Sequence, residues 1–151
     1  MKIYIGADHR GFRLKKEVLH LLEEKGYLVE DAGSYKEGVS CDYPQFSYKV
    51  AKAVAAHKDS RGILVCMTGI GHTIAANKVP GVYAALCYNR RAAKLSREHN
   101  NANVLVLGAK FVRRQDMKDI ILTWLQTPFE GGRHQRRVNQ IKRIERKALC
   151  R

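Results

Sequence analysis

The sequence lacks the features that mark a disulfide-bonded, metal-binding or membrane protein. None of its four cysteines stands in a Cys-x-x-Cys pair, so neither a paired-cysteine zinc site nor a disulfide framework is expected. No apolar run approaches the ~20 residues that a membrane helix needs, and the first residues, MKIYIGADHRG, do not resemble a signal peptide. We therefore predict a cytoplasmic protein with free thiols and no membrane segment.

Two common phosphate-binding motifs are also missing. Gly69-x-Gly71 is followed by Ile74, where a third glycine would complete the dinucleotide fingerprint. No Gly-Lys-Ser/Thr sequence completes a P-loop. The glycines therefore predict an anion site without specifying the anion.

Acidic residues are scarce: 14 Asp and Glu stand against 28 Lys and Arg, which gives a net charge of +14. The imbalance is concentrated in residues 133–151, where eight basic residues accompany the single acid Glu145. Val138, Ile141 and Ile144 recur there at nearly helical spacing, which predicts an amphipathic helix with a basic solvent face. A basic surface attracts nucleic acids, anionic membranes or phosphorylated metabolites. The chain has no recognised nucleic-acid motif, so neither a nucleic acid nor a membrane is expected as its partner.

Strand-like and helix-like stretches alternate along the 151 residues, which suit one domain spanning residues 1–151. Apolar runs predict strands at 2–6, 27–31, 63–66, 82–87 and 103–107. Helical periodicity predicts helices at 12–25, 43–57, 89–99 and 115–125, and a basic helix after the loop 127–132. This alternation predicts a doubly wound, Rossmann-like α/β fold, with three αβα layers and a five-stranded parallel sheet. Since no strand follows the C-terminal basic helix, we expect it to pack against another subunit.

The stretch 61–77 carries the strongest chemical signal. Its apolar strand ends in Cys66, a turn follows with Gly69 and Gly71, and small residues then suit the first turns of a helix. Such a turn leaves backbone N–H groups that can hold a phosphate or an oxyanion. A thiol beside these donors is expected to favour its thiolate form and to act as a nucleophile or general base. The competing interpretation is that Cys66 is a small buried hydrophobic residue.

Other polar residues follow the predicted strands, at the edge where open parallel sheets bind their ligands. Asp8 and His9 follow the first strand and suit either a sugar or phosphate contact or a structural Asx turn. The same edge is expected to receive Thr68, Tyr88, Asn89 and Lys110. These positions predict that the side chains converge on one site.

Two further groups have both a structural and a binding interpretation. His99, Asn100 and Asn101 end a predicted helix, where they suit either C-capping or a ligand contact. Arg133 and Arg137 are four residues apart, so on a helix they face the same way and can grip one phosphate. A solvated basic face is the alternative for these two arginines.

Five motifs occur in the order and spacing of a known family, over about residues 2–147. They are Ala7-Asp8-His9-Arg10-Gly11, Asp42-Tyr43-Pro44, the stretch 66–77, Ser96-Arg97-Glu98-His99-Asn100 and Gly131-Gly132-Arg133-His134. With these motifs the chain resembles the ribose-5-phosphate isomerase B family, which also includes galactose-6-phosphate isomerase subunits and allose-6-phosphate isomerases. Cys66, His99-Asn100 and the Gly-Gly-Arg-His segment resemble the ribose-5-phosphate branch best.

The resemblance implies an aldose–ketose isomerase, without metal or cofactor, that interconverts D-ribose 5-phosphate and D-ribulose 5-phosphate through a cis-enediolate. It also implies a homodimer, or a dimer of dimers, whose sites are built by both subunits around a phosphorylated sugar. Cys66 matches the family's base, and Thr68 matches the residue that assists proton transfer at the substrate oxygens. Asp8 and His99 match residues tied to sugar binding and ring opening, and Asn100 matches a sugar-hydroxyl contact.

The resemblance also assigns groups to the charged parts of the substrate. The phosphate ligands match His9, Arg133 and Arg137. The oxyanion hole matches backbone N–H groups around Met67, Gly69, Ile70 and Gly71. A further phosphate contact, usually an arginine, corresponds to Lys110.

The chain departs from the family pattern at four positions near these groups. Met67 replaces a glycine, which predicts a restricted and crowded turn if the backbone there needs a positive φ. His72 and Thr73 stand where an apolar residue and a serine are usual, and Lys110 replaces a planar guanidinium with a point charge. An isomerase for allose 6-phosphate or galactose 6-phosphate, and a non-catalytic sugar-phosphate sensor, are therefore the alternative functions.

Overall fold

A computed structural model describes residues 1–150, which form a five-stranded sheet between two layers of helices. The strands are β1 (Lys2–Ala7), β2 (Leu28–Asp31), β3 (Ser60–Cys66), β4 (Ala84–Leu86) and β5 (Val104–Gly108). The helices are α1 (Phe12–Glu24), α2 (Tyr43–Ala56), α3 (Ile70–Ala76), α4 (Arg90–Asn100), α5 (Arg114–Gln126) and α6 (Gly132–Leu149). All neighbouring strands are parallel, in the order β2-β1-β3-β5-β4. The predicted three-layer, Rossmann-like fold is confirmed.

The sheet is buried on both faces because alternate residues of its central strands enter two separate cores. On one face, Ile63 and Leu105 pack with Trp124 and other apolar side chains of α1, α4 and α5. On the other face, Leu64 packs with Val50 and its neighbours on α2 and α3. Strands that bury both faces need nearly continuous apolar runs, which is the pattern that predicts β3 and β5 from the sequence.

Two local predictions differ from the structure. The fourth strand was expected over 82–87 but is only Ala84–Leu86 at the sheet edge, although the Tyr83 carbonyl oxygen and the Cys87 N–H on either side still hydrogen-bond to β5. Asp42 occupies the N-cap position of α2, but its side chain makes no capping hydrogen bond. Pro44 lies in the first turn of α2 as predicted.

Helix α6 is amphipathic as predicted, but only part of its apolar face is covered. Val138 is 2% exposed, whereas Ile141 and Ile144 are 42% and 68% exposed. The solvent side is strongly basic. Within residues 1–150, no helix has both the length and the apolar character needed to span a membrane.

An ion pair between a buried lysine and a partly exposed aspartate fixes the loop that follows β2. The Lys15 side chain on α1 is 1% exposed, and its ammonium group donates to Asp31 at 2.6 Å and to the Ser34 carbonyl oxygen at 2.7 Å. The Asp31 carboxylate also accepts the backbone N–H of Gly33 at 2.9 Å. These bonds hold the loop against the end of β1, next to the residues that carry the polar site.

We expect Lys15→Met to lower the free energy of unfolding by about 3 kcal/mol, because methionine leaves the Asp31 carboxylate without its cation. Lys16→Met is the matched control, since Lys16 is the next residue and is exposed. Urea denaturation followed by circular dichroism measures both variants. A difference of less than about 0.5 kcal/mol between them would contradict the stabilising role of this pair.

Candidate active site

The thiol of Cys66 lies at the carboxyl edge of the sheet, where the sequence predicts a site. Cys66 is the last residue of β3 and pairs in register with Gly108 at the end of β5. On the other side of β3, Val65 pairs with Ala7, so Asp8 follows directly beside the thiol. The central position of β3 in the sheet therefore brings the ends of β1 and β5 to Cys66.

The turn after β3 is built to surround the sulfur with backbone donors. Gly69 has a φ of +84°, and a Cβ atom there would collide with the Leu86 side chain, so a glycine is required. The N–H of Gly69 donates to Cys66 Sγ at 2.9 Å. Backbone N–H groups of Thr68 and His72 also favour the charged form of this sulfur. The predicted combination of a thiol and a backbone anion cradle is present.

The expected preference of Cys66 for its thiolate form is wrong in direction. Burial is the largest influence and raises the pKa of the Cys66 thiol, and the negative charge of Asp8 raises this pKa further. The three backbone donors act in the opposite sense without overcoming the cost of desolvation. At neutral pH the sulfur is therefore mainly protonated, and the donors serve to stabilise the thiolate when it forms.

Asp8 and His9 both have defined hydrogen-bond partners. Asp8 is 7% exposed, and its Oδ1 accepts backbone N–H groups of Arg10 at 3.0 Å and Gly11 at 2.8 Å, which is the Asx turn that the sequence offered as one interpretation. The N–H of Cys41 donates to His9 Nδ1 at 3.3 Å. This bond leaves the hydrogen of a neutral His9 ring on Nε2, where it can be donated to an anion.

Hydrogen bonds connect the chain segments that carry Thr68, Tyr88 and Lys110 at this edge. The Tyr88 hydroxyl donates to the Thr68 carbonyl oxygen at 3.3 Å, and the Lys110 N–H donates to the Met67 carbonyl oxygen at 2.9 Å. The side chain of Asn89 has a structural task instead, because it caps α4 by accepting the N–H of Ala92. The N–H of Ile70 is bonded to the Thr68 hydroxyl oxygen at 3.3 Å.

Met67 does not strain the turn in the way that its replacement of glycine suggested. Within residues 1–150, the only non-glycine residue with positive φ is Asn101, so Met67 has an ordinary backbone conformation. Its side chain is 36% exposed, and its sulfur accepts Nη1 of Arg10 at 3.3 Å. The methionine therefore lines the outer side of the site next to Arg10.

His72 is completely buried beside the thiol. Its Nδ1 lies 2.5 Å from Ser47 Oγ, and its ring meets Tyr43 edge-on at a centroid distance of 5.7 Å. One ring nitrogen of His72, the Cys66 sulfur and a carboxylate oxygen of Asp8 all lie within 4.8 Å of one another. Burial lowers the pKa of His72 to about 4, so the ring is neutral at physiological pH. The neighbouring Thr73 hydroxyl donates to the Gly69 carbonyl oxygen at 2.9 Å and helps to fix the turn.

A second group of polar residues, the basic cluster, consists of His99, Arg133, His134 and Arg137. The rings of His99 and His134 stack with centroids 4.1 Å apart and an angle of 6°. Arg133 Nε lies 3.4 Å from His134 Nε2, and both arginines are exposed. Burial, and then the neighbouring positive groups, lower the pKa of His134. Sequence reasoning did not select His134, although it stands in the Gly-Gly-Arg-His motif.

The basic cluster does not meet Cys66 within one chain. Helix α4 begins just beyond the end of β4, and the chain then returns to the start of β4, where the N–H of Asn103 donates to the Tyr83 carbonyl oxygen. The 11 residues of α4 span about 16 Å, which places His99 and Asn100 toward the amino edge of the sheet. Asn101, with a φ of 50°, ends the helix in the capping role that the sequence indicated. Each chain therefore carries the Cys66 turn and the basic cluster at opposite edges of the sheet.

Comparisons with known proteins agree with this architecture. Residues 3–141 match the Ribose/Galactose Isomerase family. Ribose-5-phosphate isomerase B of Escherichia coli (strain K12) is 44% identical over 146 residues, which cover 97% of each chain. The structure of ribose-5-phosphate isomerase B from Clostridium thermocellum is 50% identical, with a TM-score of 0.94, and covers 98% of this chain and 99% of its own. That of the Mycoplasma genitalium protein, which holds bound ribulose-5-phosphate, is 44% identical with a TM-score of 0.92 over 96% of each chain. The chain belongs to the Ribose/Galactose Isomerase family.

Proposed function

We propose that this chain is an aldose–ketose isomerase that interconverts D-ribose 5-phosphate and D-ribulose 5-phosphate. The observation that carries the proposal is a buried thiol at the sheet edge that three backbone N–H groups face. The names of the relatives, including one solved with ribulose-5-phosphate, support the choice of a pentose phosphate. We further propose that residues 1–151 act as one unit. Its location in the cytoplasm stays a prediction.

The reaction moves one proton between two carbons and one between two oxygens. The Cys66 thiolate removes the proton from C2 of the open-chain aldose, and the C–H electrons form the C1=C2 bond while O1 takes the negative charge. The same thiol returns its proton to C1, and a proton passes from O2 to O1 as the C2 carbonyl forms. Thr68 lies beside the thiol and is suited to assist the transfer between the oxygens.

The enediolate oxygen requires donors that are already in place. We propose that backbone N–H groups between Met67 and Gly71 supply them. The N–H of Ile70 now bonds the Thr68 hydroxyl at 3.3 Å, a long hydrogen bond that a charged substrate oxygen can replace. The stabilisation grows as the charge develops on the oxygen, so it acts mainly on the transition state.

The phosphate and the sugar hydroxyls are proposed to bind between two subunits. His9 and Lys110 belong to the Cys66 side, whereas Arg133, Arg137 and the His99-Asn100 pair belong to the distant edge of the same chain. A homodimer with a two-fold axis places the basic cluster of one protomer over the thiol of its partner. The partly uncovered apolar face of α6 offers contact area for such a pair. A dimer of dimers is compatible with the same arrangement.

Arg137→Ala is expected to raise KM by about tenfold or more while kcat changes little, because the phosphate lies away from the reacting carbons. Arg136→Ala serves as the control, since Arg136 is also exposed but points away from Arg137 on the helix. Steady-state kinetics with ribose 5-phosphate measure both variants. An unchanged KM in Arg137→Ala would remove this arginine from the phosphate site.

Asp8→Asn is expected to move the rise of kcat/KM to lower pH. Activity increases as Cys66 loses its proton, and Asp8 raises the pKa of Cys66, so neutralising Asp8 favours the thiolate at lower pH. Asparagine retains an oxygen that can accept the Arg10 and Gly11 N–H groups. Asp119→Asn, an exposed site on α5, is the control. A pH profile of Asp8→Asn that coincides with that of the unmodified protein contradicts this coupling.

An isomerase assay with purified protein tests the function as a whole. Ribose 5-phosphate is compared with allose 6-phosphate and galactose 6-phosphate at equal concentrations, and ketose formation is measured. We expect the highest kcat/KM for ribose 5-phosphate. Preference for a hexose phosphate would overturn the substrate, and binding without turnover would favour the sugar-phosphate sensor.

A further inference from the structure

His72 presents a buried polar atom that the proposed isomerisation does not use. The residue has no exposed surface, and among residues 1–150 its Nε2 has no hydrogen-bond partner. Buried polar atoms are rarely left without a partner, since their desolvation is then uncompensated.

Ser47 holds the ring of His72 through Nδ1. The Ser47 hydroxyl lies 2.5 Å from His72 Nδ1 and 3.2 Å from the Tyr43 carbonyl oxygen, which can only accept a hydrogen. When the serine donates to that carbonyl, Nδ1 carries the imidazole hydrogen and Nε2 keeps a free lone pair. A histidine held through Nδ1 in this way is arranged as a metal ligand usually is.

Three different ligand types meet at this point. A His72 ring nitrogen, Cys66 Sγ and a carboxylate oxygen of Asp8 lie within 4.8 Å of one another, and all three residues are buried. Thiolate, imidazole and carboxylate are the groups that bind zinc, at bond lengths that put neighbouring ligands about 3.5 Å apart. An ion bound at this point draws the three ligand atoms together. Asp8 has a second oxygen beyond the one that accepts the Arg10 and Gly11 N–H groups.

We propose that Asp8, Cys66 and His72 form a reversible Zn²⁺ site within the active site. The cation displaces the thiol proton, binds the resulting thiolate together with the neutral imidazole and the carboxylate, and keeps a fourth position for water. Two negative ligands balance its charge in the buried setting. The further consequence, which rests on the proposed isomerase function, is that Zn²⁺ inhibits turnover because it occupies the base.

A second group, His99, Glu130 and His134, also brings three potential ligands within 4.8 Å. It carries no thiol, and Arg133 Nε lies 3.4 Å from His134 Nε2, where its positive charge disfavours a cation. The presence of a thiolate ligand therefore distinguishes the two groups in an experiment.

Titration with Co²⁺ as a spectroscopic probe of the zinc site tests the proposal without measuring activity. We expect one equivalent to produce a near-ultraviolet thiolate-to-cobalt charge-transfer band that Zn²⁺ abolishes. His72→Ile is expected to weaken metal binding by about 100-fold or more, and Ser47→Ala, which only frees the ring, by about tenfold. Cys87→Ser, which alters the other buried cysteine, should leave the band unchanged.

A band of equal strength and affinity in His72→Ile would overturn the proposal, as would a band lost in Cys87→Ser or no band at all. Circular dichroism checks the fold of each variant, and Ser47→Ala keeps the test valid if His72→Ile is unstable. With ribose 5-phosphate as substrate, we expect chelator-reversible Zn²⁺ inhibition that weakens in His72→Ile. If the protein shows no isomerase activity, the cobalt titration still tests the metal site. Failure of the proposed function can therefore be told apart from failure of the proposed metal site.

Discussion

Cys66→Ala is expected to lose isomerase turnover by about 10³- to 10⁴-fold, because a methyl group cannot carry the proton between C1 and C2. The Asp8 carboxylate remains nearby, but it is held by the backbone N–H groups of Arg10 and Gly11. Sugar-phosphate affinity should largely survive, since the proposed phosphate ligands lie elsewhere. The result would be a fall in kcat with little change in the dissociation constant measured by calorimetry.

Cys87→Ala provides the matched control for this loss. Cys87 is also a buried free thiol, and burial raises its pKa to about 11. It packs in the core shared by α1, α4 and α5, outside the polar site. Its replacement should leave kcat nearly unchanged. Turnover in Cys66→Ala comparable to that in Cys87→Ala would remove Cys66 as the base.

Mixing two inactive variants is expected to restore activity. Cys66→Ala removes the thiol and so damages the part of the site around Cys66, called here the thiol side. The double variant Arg133→Ala/Arg137→Ala damages the basic cluster and is expected to lose at least about 100-fold in kcat/KM. If each site combines the thiol side of one protomer with the basic cluster of its partner, a mixed dimer contains one intact site. Random exchange then returns about a quarter of the unmodified activity per protomer.

The control for this mixing experiment combines Cys66→Ala with Cys66→Ser, which damage the same side and should restore nothing. Light scattering after subunit exchange verifies that dimers are present, and differently tagged variants report the mixed species. Mixed dimers without recovered activity would show that the two sides do not meet across the interface, and the shared-site proposal would fail.

The parallel sheet and its burial on both faces were accessible from the sequence because both follow from strong apolar patterns. The nearly continuous apolar runs that form β3 and β5 predict strands buried on both faces, and the alternation of strands with helices predicts parallel pairing. The end of β4 was not accessible. It depends on the backbone geometry of Tyr83 and Cys87, which lie outside the strand although both still hydrogen-bond to β5.

The positions of site residues that follow directly after strands were predictable from the sequence. The properties that depend on how deeply a side chain is buried were not. The spacing of Cys66 and the glycines predicts the backbone donors, but the balance between those donors and desolvation requires the packed structure. The interior position of His72 depends on Ser47, 25 residues away in sequence. The separation of His99 from Cys66 follows from the direction of α4, which single motifs do not convey.

The most direct test of the central claim follows ribose 5-phosphate by NMR in D₂O with the purified protein. We predict conversion to ribulose 5-phosphate with solvent deuterium appearing at C1, because the thiol that carries the proton exchanges with solvent. Unchanged ribose 5-phosphate would contradict the proposed function.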